Sequence, residues 1–120
     1  MAHGDINHNE IPVSDMDRAK EFYAALFGWD IQEFPGFEGY PMWRSADGTS
    51  GGALTPCSES FTHPRPTVEV DSIEEALRQV VERGGRVLQD RQPIDETSWW
   101  AVFEDPDGNT IGLWEGTTQP

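Results

Sequence analysis

Few side chains in this chain are suited to covalent chemistry. The lone cysteine, Cys57, lies in the polar stretch TPCSESFTHP with no activating base nearby. Neither a disulfide, a multi-cysteine metal site nor a thiolate nucleophile is therefore expected. No GxSxG elbow, Walker loop or dinucleotide fingerprint occurs either. What remains suits binding. Five tryptophans in 120 residues is a high density, and Trp99, Trp100 and Trp114 all fall in the last structured stretch, SWWAVFEDPDGNTIGLWE. Aromatic walls with a few placed polar groups are what a small-molecule pocket needs. The polar groups lie on two alternating stretches. INHNEIPV puts His8 and Glu10 on one side of a strand, and RPTVEV does the same for Arg65, Thr67 and Glu69. Arg65 can hold a carboxylate or phosphate in bidentate fashion, or pair internally with Glu69 or Glu10.

The elements that position these residues read as a duplication. Ile6–Val13 is a strand, Ser14 and Asp15 supply N-cap chemistry, and the helix that follows runs to about Phe27. Its apolar face is Met16, Ala19, Phe22, Tyr23 and Leu26, and Gly28 stands at the C-cap. Trp29–Phe34 alternates as a strand, and Tyr40–Arg44 with Thr49–Leu54 forms a hairpin around Asp47-Gly48. After a polar linker, residues 55–64, the order recurs. Arg65–Val70 is a strand, Asp71 or Ser72 a cap, and Ile73–Arg83 a helix with Ile73, Ala76, Leu77, Val80 and Val81 on one face. Arg86–Gln89 is a short strand, Asp90–Thr97 a polar loop, and Ser98–Trp114 a hairpin around DPDGN. An offset of 57 aligns Ile11/Val68, Val13/Val70, Met16/Ile73, Ala19/Ala76 and Gly28/Gly85, and an offset of 60 aligns Asp47/Asp107, Gly48/Gly108 and Gly52/Gly112. The chain is read as one domain, residues 1–120, built from two βαβββ modules at 6–54 and 65–115.

Twenty-two acidic against eight basic residues give a formal net charge of −14. So negative a field argues against nucleic-acid and anionic-membrane partners. It suits either a high-salt cytoplasm, where screening relieves self-repulsion, or an ordinary acidic bacterial protein. No apolar run is long enough to span a membrane, and MAHGDINHNE lacks the basic-then-apolar order of a secretory signal. A cytoplasmic protein is expected.

With two βαβββ modules, RAKEFYAALFGW (Arg18–Trp29) and FEDPDGNTIGLWE (Phe103–Glu115), the chain resembles the vicinal oxygen chelate superfamily of glyoxalase I, bleomycin-resistance proteins and extradiol dioxygenases. Its glyoxalase-like subgroup is the nearest in pattern. The resemblance implies an α+β fold in which the strands of the two modules form a cup-shaped mixed sheet with the helices outside. It also implies a homodimer and, in the enzymes, a divalent metal on the first and last strands. Those metal positions fall here at His8, Arg65, Gly112 and Gly52 or Ala53. One imidazole cannot hold such a metal, so no cofactor is expected, with Glu10, Glu69 and His63 as substitute ligands if one is bound. A cup face containing His8 and Arg65 also contains Glu10, Thr67, Glu69, Thr110, Gly112 and Trp114, and at least one of Trp99 and Trp100. These residues are the expected ligand-binding set for a small, partly aromatic molecule. A metal-dependent lyase or dioxygenase with ligands relocated around His8, or a regulatory module with a filled cup, are the alternatives.

Overall fold

The computed structural model describes residues 2–116. β1 spans Ile6–Val13. Asp15 then caps α1 (Met16–Phe27), its carboxylate accepting the Arg18 N–H at 3.1 Å. Gly28 ends the helix at φ 72, donating its N–H to the Ala24 carbonyl at 2.9 Å. That left-handed conformation suits a residue without Cβ. β2 (Asp30–Gln32), β3 (Met42–Arg44) and β4 (Gly51–Pro56) complete one βαβββ module. β5 (Arg65–Glu69), α2 (Ile73–Glu82), β6 (Arg86–Asp95), β7 (Ser98–Glu104) and β8 (Thr110–Gly116) make the second. Ser72 caps α2, its hydroxyl accepting the Glu75 N–H at 3.2 Å. The fold is α+β.

The chain packs as two compact units, one of Asn7–Arg65 and one from Pro66 onward together with the residues before Asn7. In the first, the strand order is β2-β3-β4-β1, with β1 parallel to β4 and the other pairs antiparallel. In the second it is β5-β8-β7-β6, with β5 parallel to β8. Each sheet buries one face under its helix. In the first unit Ala53 is fully buried on the Glu10 face, and Leu54, in register with Ile11, is fully buried on the opposite, α1 side. There Tyr23 stacks on Trp29 (5.1 Å between centroids) and Trp29 on Trp43 (3.7 Å). In the second unit Val70, Ile73, Leu77, Ala101 and Leu113 form the core, with Val68, Val87, Trp99 and Phe103 packed around it. Burying a side chain such as Ile73 contributes about 1.5–3 kcal/mol, which is what holds an amphipathic helix of this length to its sheet.

Three expectations are corrected. Asp90–Thr97 is not a loop, because β6 runs on to Asp95 opposite β7, with register shifts on the way. As the outermost strand of its unit, β6 exposes both faces at this end, so no apolar alternation marks it. The first hairpin's strands are displaced to Met42–Arg44 and Gly51–Pro56, which takes two residues from the linker. On α1, Met16, Ala19 and Tyr23 are half-buried, but Phe22 and Leu26 stay 56% and 58% exposed. No helix among the described residues is long and apolar enough to cross a membrane.

Candidate functional site

The period of β1 puts His8 and Glu10 on one face. Tyr40 reaches them from the loop between β2 and β3, which its neighbours hold in place. Gly39 turns the chain at φ 83, a conformation open to glycine. Its N–H donates to Glu33 Oε1 at 2.7 Å, while Glu33 Oε2 accepts from Lys20 Nζ at 3.1 Å. These contacts, with the Gly39 N–H foremost, hold the Glu33 carboxyl below its usual range. Pro41 is fully buried, and its carbonyl takes the Leu54 N–H at 2.9 Å. Arg65 opens β5, and its guanidinium lies 4.7 Å above the Phe61 ring.

The four polar side chains form one network within the Asn7–Arg65 unit. Arg65 donates from Nε to Glu10 Oε1 at 3.0 Å and from Nη2 to the same oxygen. Tyr40 donates to Glu10 Oε2 at 2.7 Å, and its oxygen lies 2.9 Å from His8 Nε2. Arg65 and Glu10 keep only 21% and 13% of their side-chain surface exposed. Proton counting then assigns the imidazole. A carboxylate paired with a guanidinium offers only lone pairs, so the phenol hydrogen goes to Glu10. Tyr40 has no second hydrogen, so His8 donates from Nε2–H and keeps its lone pair on Nδ1. Burial pushes the His8 imidazole below its ordinary 6.5, with Arg65 adding to the effect and Glu10 opposing it. Burial, followed by the charge and hydrogen bond of Glu10, drives the Tyr40 phenol far above its ordinary value. With a neutral imidazole, a neutral phenol and a compensated ion pair, the cluster carries no net charge.

The structure thus brings together His8, Glu10 and Arg65, and selects Glu10 over Glu69 as the partner of Arg65. Tyr40 and Phe61 were missed by the sequence reading. Phe61 is a single aromatic in a polar stretch four residues before Arg65, which was the available signal. Thr67, Glu69, Gly112, Trp114 and Trp100 belong to the other unit. There the register pairs Thr67 with Gly112, Glu69 with Trp114 and Trp100 with Trp114, so they share the sheet face away from α2. The Trp114 indole lies over Gly116, where a Cβ would come 2.1 Å from its ring. Trp99 does not join this set. It packs against the α2-side core and carries the Arg91 guanidinium 4.2 Å above its ring. Arg91 in turn pairs with Glu115, whose Oε1 accepts the Ile73 N–H at 2.9 Å. His63 stays apart from the network and bonds Thr62 Oγ1 at 2.9 Å.

The donor set at the metal positions implied by the resemblance does not fit a divalent cation. His8 supplies an imidazole, but its Nε2 is engaged with Tyr40, and Arg65 brings a positive charge. Ala53 is fully buried, and a Cβ on Gly52 would lie 1.8 Å from the Asn9 carbonyl oxygen. A Cβ on Gly112 would lie 2.7 Å from Thr67 Oγ1. Among the described residues no group of three or more His, Cys, Asp or Glu is arranged to hold a metal. Further along the Glu10 face of its sheet, the Thr55 hydroxyl is buried with no partner among the described residues.

Comparison with known proteins agrees with this architecture. The profile of the Glyoxalase/Bleomycin resistance protein/Dioxygenase superfamily matches residues 5–113, and the chain belongs to that superfamily. CFP32 of Mycobacterium tuberculosis, a glyoxylase by name, is 28% identical over 93% of this chain. The chain spans about half the length of that relative, 46%. The metallothiol transferase FosB of Shouchella clausii is 30% identical over 93% of this chain and 80% of its own. Among solved structures, methylmalonyl-CoA epimerase from Mycobacterium tuberculosis superposes with a TM-score of 0.71 at 19% identity, covering 98% of this chain and 92% of that one. This last likeness concerns the fold.

Proposed function

We propose that this superfamily member binds a small, partly aromatic molecule without a metal at the family positions. The observation that carries the reading is the Arg65–Glu10 pair: a guanidinium stands where the resemblance implies a ligand, and the nearby carboxylate is committed to it. Within their own unit, Trp100 and Trp114 supply half-buried aromatic surface on the sheet face away from α2. The buried Thr55 hydroxyl supports a polar occupant on the Glu10 side. The reading includes a cytoplasmic homodimer; the exposed Phe22, Leu26 and Phe27 of α1 support self-association. A tryptophan-fluorescence screen of aromatic and amphipathic compounds tests the binding claim. Saturable quenching that weakens in Trp100→Phe is expected, and a chain with a filled cup would show none. Light scattering giving only monomer mass would remove the dimer. A second reading, a metal-dependent enzyme with ligands displaced around His8, is favoured by the relative named for metallothiol transfer.

A further inference from the structure

Arg65 is the only cation in the His8–Glu10–Tyr40 network, and how it is engaged constrains what the site can accept. A guanidinium has five N–H donors and binds carboxylates and phosphates best through a two-donor edge. Here the Nε and Nη2 edge is filled by Glu10 Oε1. The plane of the group is covered on one side by Phe61. Glu10 is itself pinned, since its other oxygen accepts the Tyr40 hydroxyl. Among the described residues the Nη1 end makes no hydrogen bond.

We propose that Glu10 is the specificity determinant of this site. Its carboxylate occupies the place on Arg65 that an anionic ligand would take, so the site admits neutral hydrogen-bonding molecules and excludes carboxylates and phosphates. This deepens the binding function proposed above and rests on it for the identity of the natural occupant. An intramolecular carboxylate already in position competes at a high effective concentration, and an incoming anion must displace it. It must also approach a chain of net charge −14. A neutral carbonyl meets neither obstacle and can accept from Nη1.

Benzamide and benzoate share a ring and differ in charge, so they serve as the probe pair. Thermal unfolding and titration calorimetry would compare each with sodium chloride at equal ionic strength, which controls for screening of the acidic surface. For the wild-type chain, benzamide should raise Tm and benzoate should do no more than chloride. In Glu10→Gln, benzoate affinity should rise at least tenfold, and adding Arg65→Met should abolish the gain. Benzoate binding the wild-type chain as tightly as Glu10→Gln, or a folded Glu10→Gln that gains none, would overturn the proposal. If Glu10→Gln does not fold alone, refolding with and without acetate gives the same reading. Folded protein only with acetate supports the proposal, and no difference between the two refutes it. The benzamide arm reports separately on small-molecule binding: a gain of benzoate in the variant with no benzamide effect in the wild type would retain the exclusion and count against the binding function.

Discussion

Arg65→Met is the perturbation whose cost the structure specifies best. The substitution keeps an unbranched apolar stem and removes the guanidinium from a carboxylate that is only 13% exposed. Removing one member of a buried pair costs roughly 3–5 kcal/mol, because the other charge is left without its partner. Arg65 retains 21% of its side-chain exposure and Tyr40 still donates to Glu10, so the cost falls at or just below the bottom of that range, about 2–3 kcal/mol. For a chain of this size that corresponds to a fall in Tm on the order of 6–15 °C. Urea unfolding of wild type, Arg65→Met, Glu10→Leu and the double variant closes a thermodynamic cycle. The double variant should recover much of the loss, with a coupling energy of at least about 1.5 kcal/mol. Single variants costing less than about 0.5 kcal/mol, or strictly additive effects, would match a solvated surface pair and refute the description of this network.

Three further outcomes follow from the same structure. Since burial lowers the His8 pKa, the unfolded chain takes up this proton first as pH falls. The stability due to neutral His8 is full above 6.5 and declines below it. Denaturation midpoints measured downward from neutral pH should show a shallower decline for His8→Gln than for wild type, and parallel curves would contradict this. Gly52→Ala should cost about 3 kcal/mol, because its Cβ would meet backbone. Gly112→Ala should cost about 1 kcal/mol, since the nearest atom is the Thr67 hydroxyl, which can rotate away; equal Tm losses would show that the strands adjust. Finally, Tm should rise with KCl as screening relieves the repulsion of a net −14 charge, and an unchanged Tm at molar salt would remove the high-salt reading of the surface.

The fold was largely legible because its signals are local and repeated. Asp15, Gly28 and Ser72 are caps whose chemistry acts within a few residues. The recurrence of one βαβββ pattern exposed the architecture before any contact was known. The site was less legible for definite physical reasons. Strand period put His8 with Glu10 and Arg65 with Glu69, but which carboxylate Arg65 takes depends on tertiary approach across 55 residues. Tyr40 precedes its strand and is placed by the Glu33–Gly39 contact and the buried Pro41, none of which has a period. SWWAVF is apolar at both parities, so alternation could not decide between Trp99 and Trp100. Trp99 shares its face with Ala101, which pairs with the core residue Leu113, and Arg91 stacks on its ring. The exposed Phe22 and Leu26 show the opposite failure, in which a correct helical periodicity overstated burial.

The most direct test of the central claim is the metal content of the protein purified without chelator and with no metal added beyond that of the growth medium. The Arg65–Glu10 pairing, the closed positions at Gly52 and Ala53 and the lack of a side-chain donor at Gly112 lead to an expectation of substoichiometric Zn, Ni, Mn and Fe, the same in wild type and His8→Ala. One equivalent of any of these metals in the wild type, lost in His8→Ala, would contradict it and establish the metal-dependent reading.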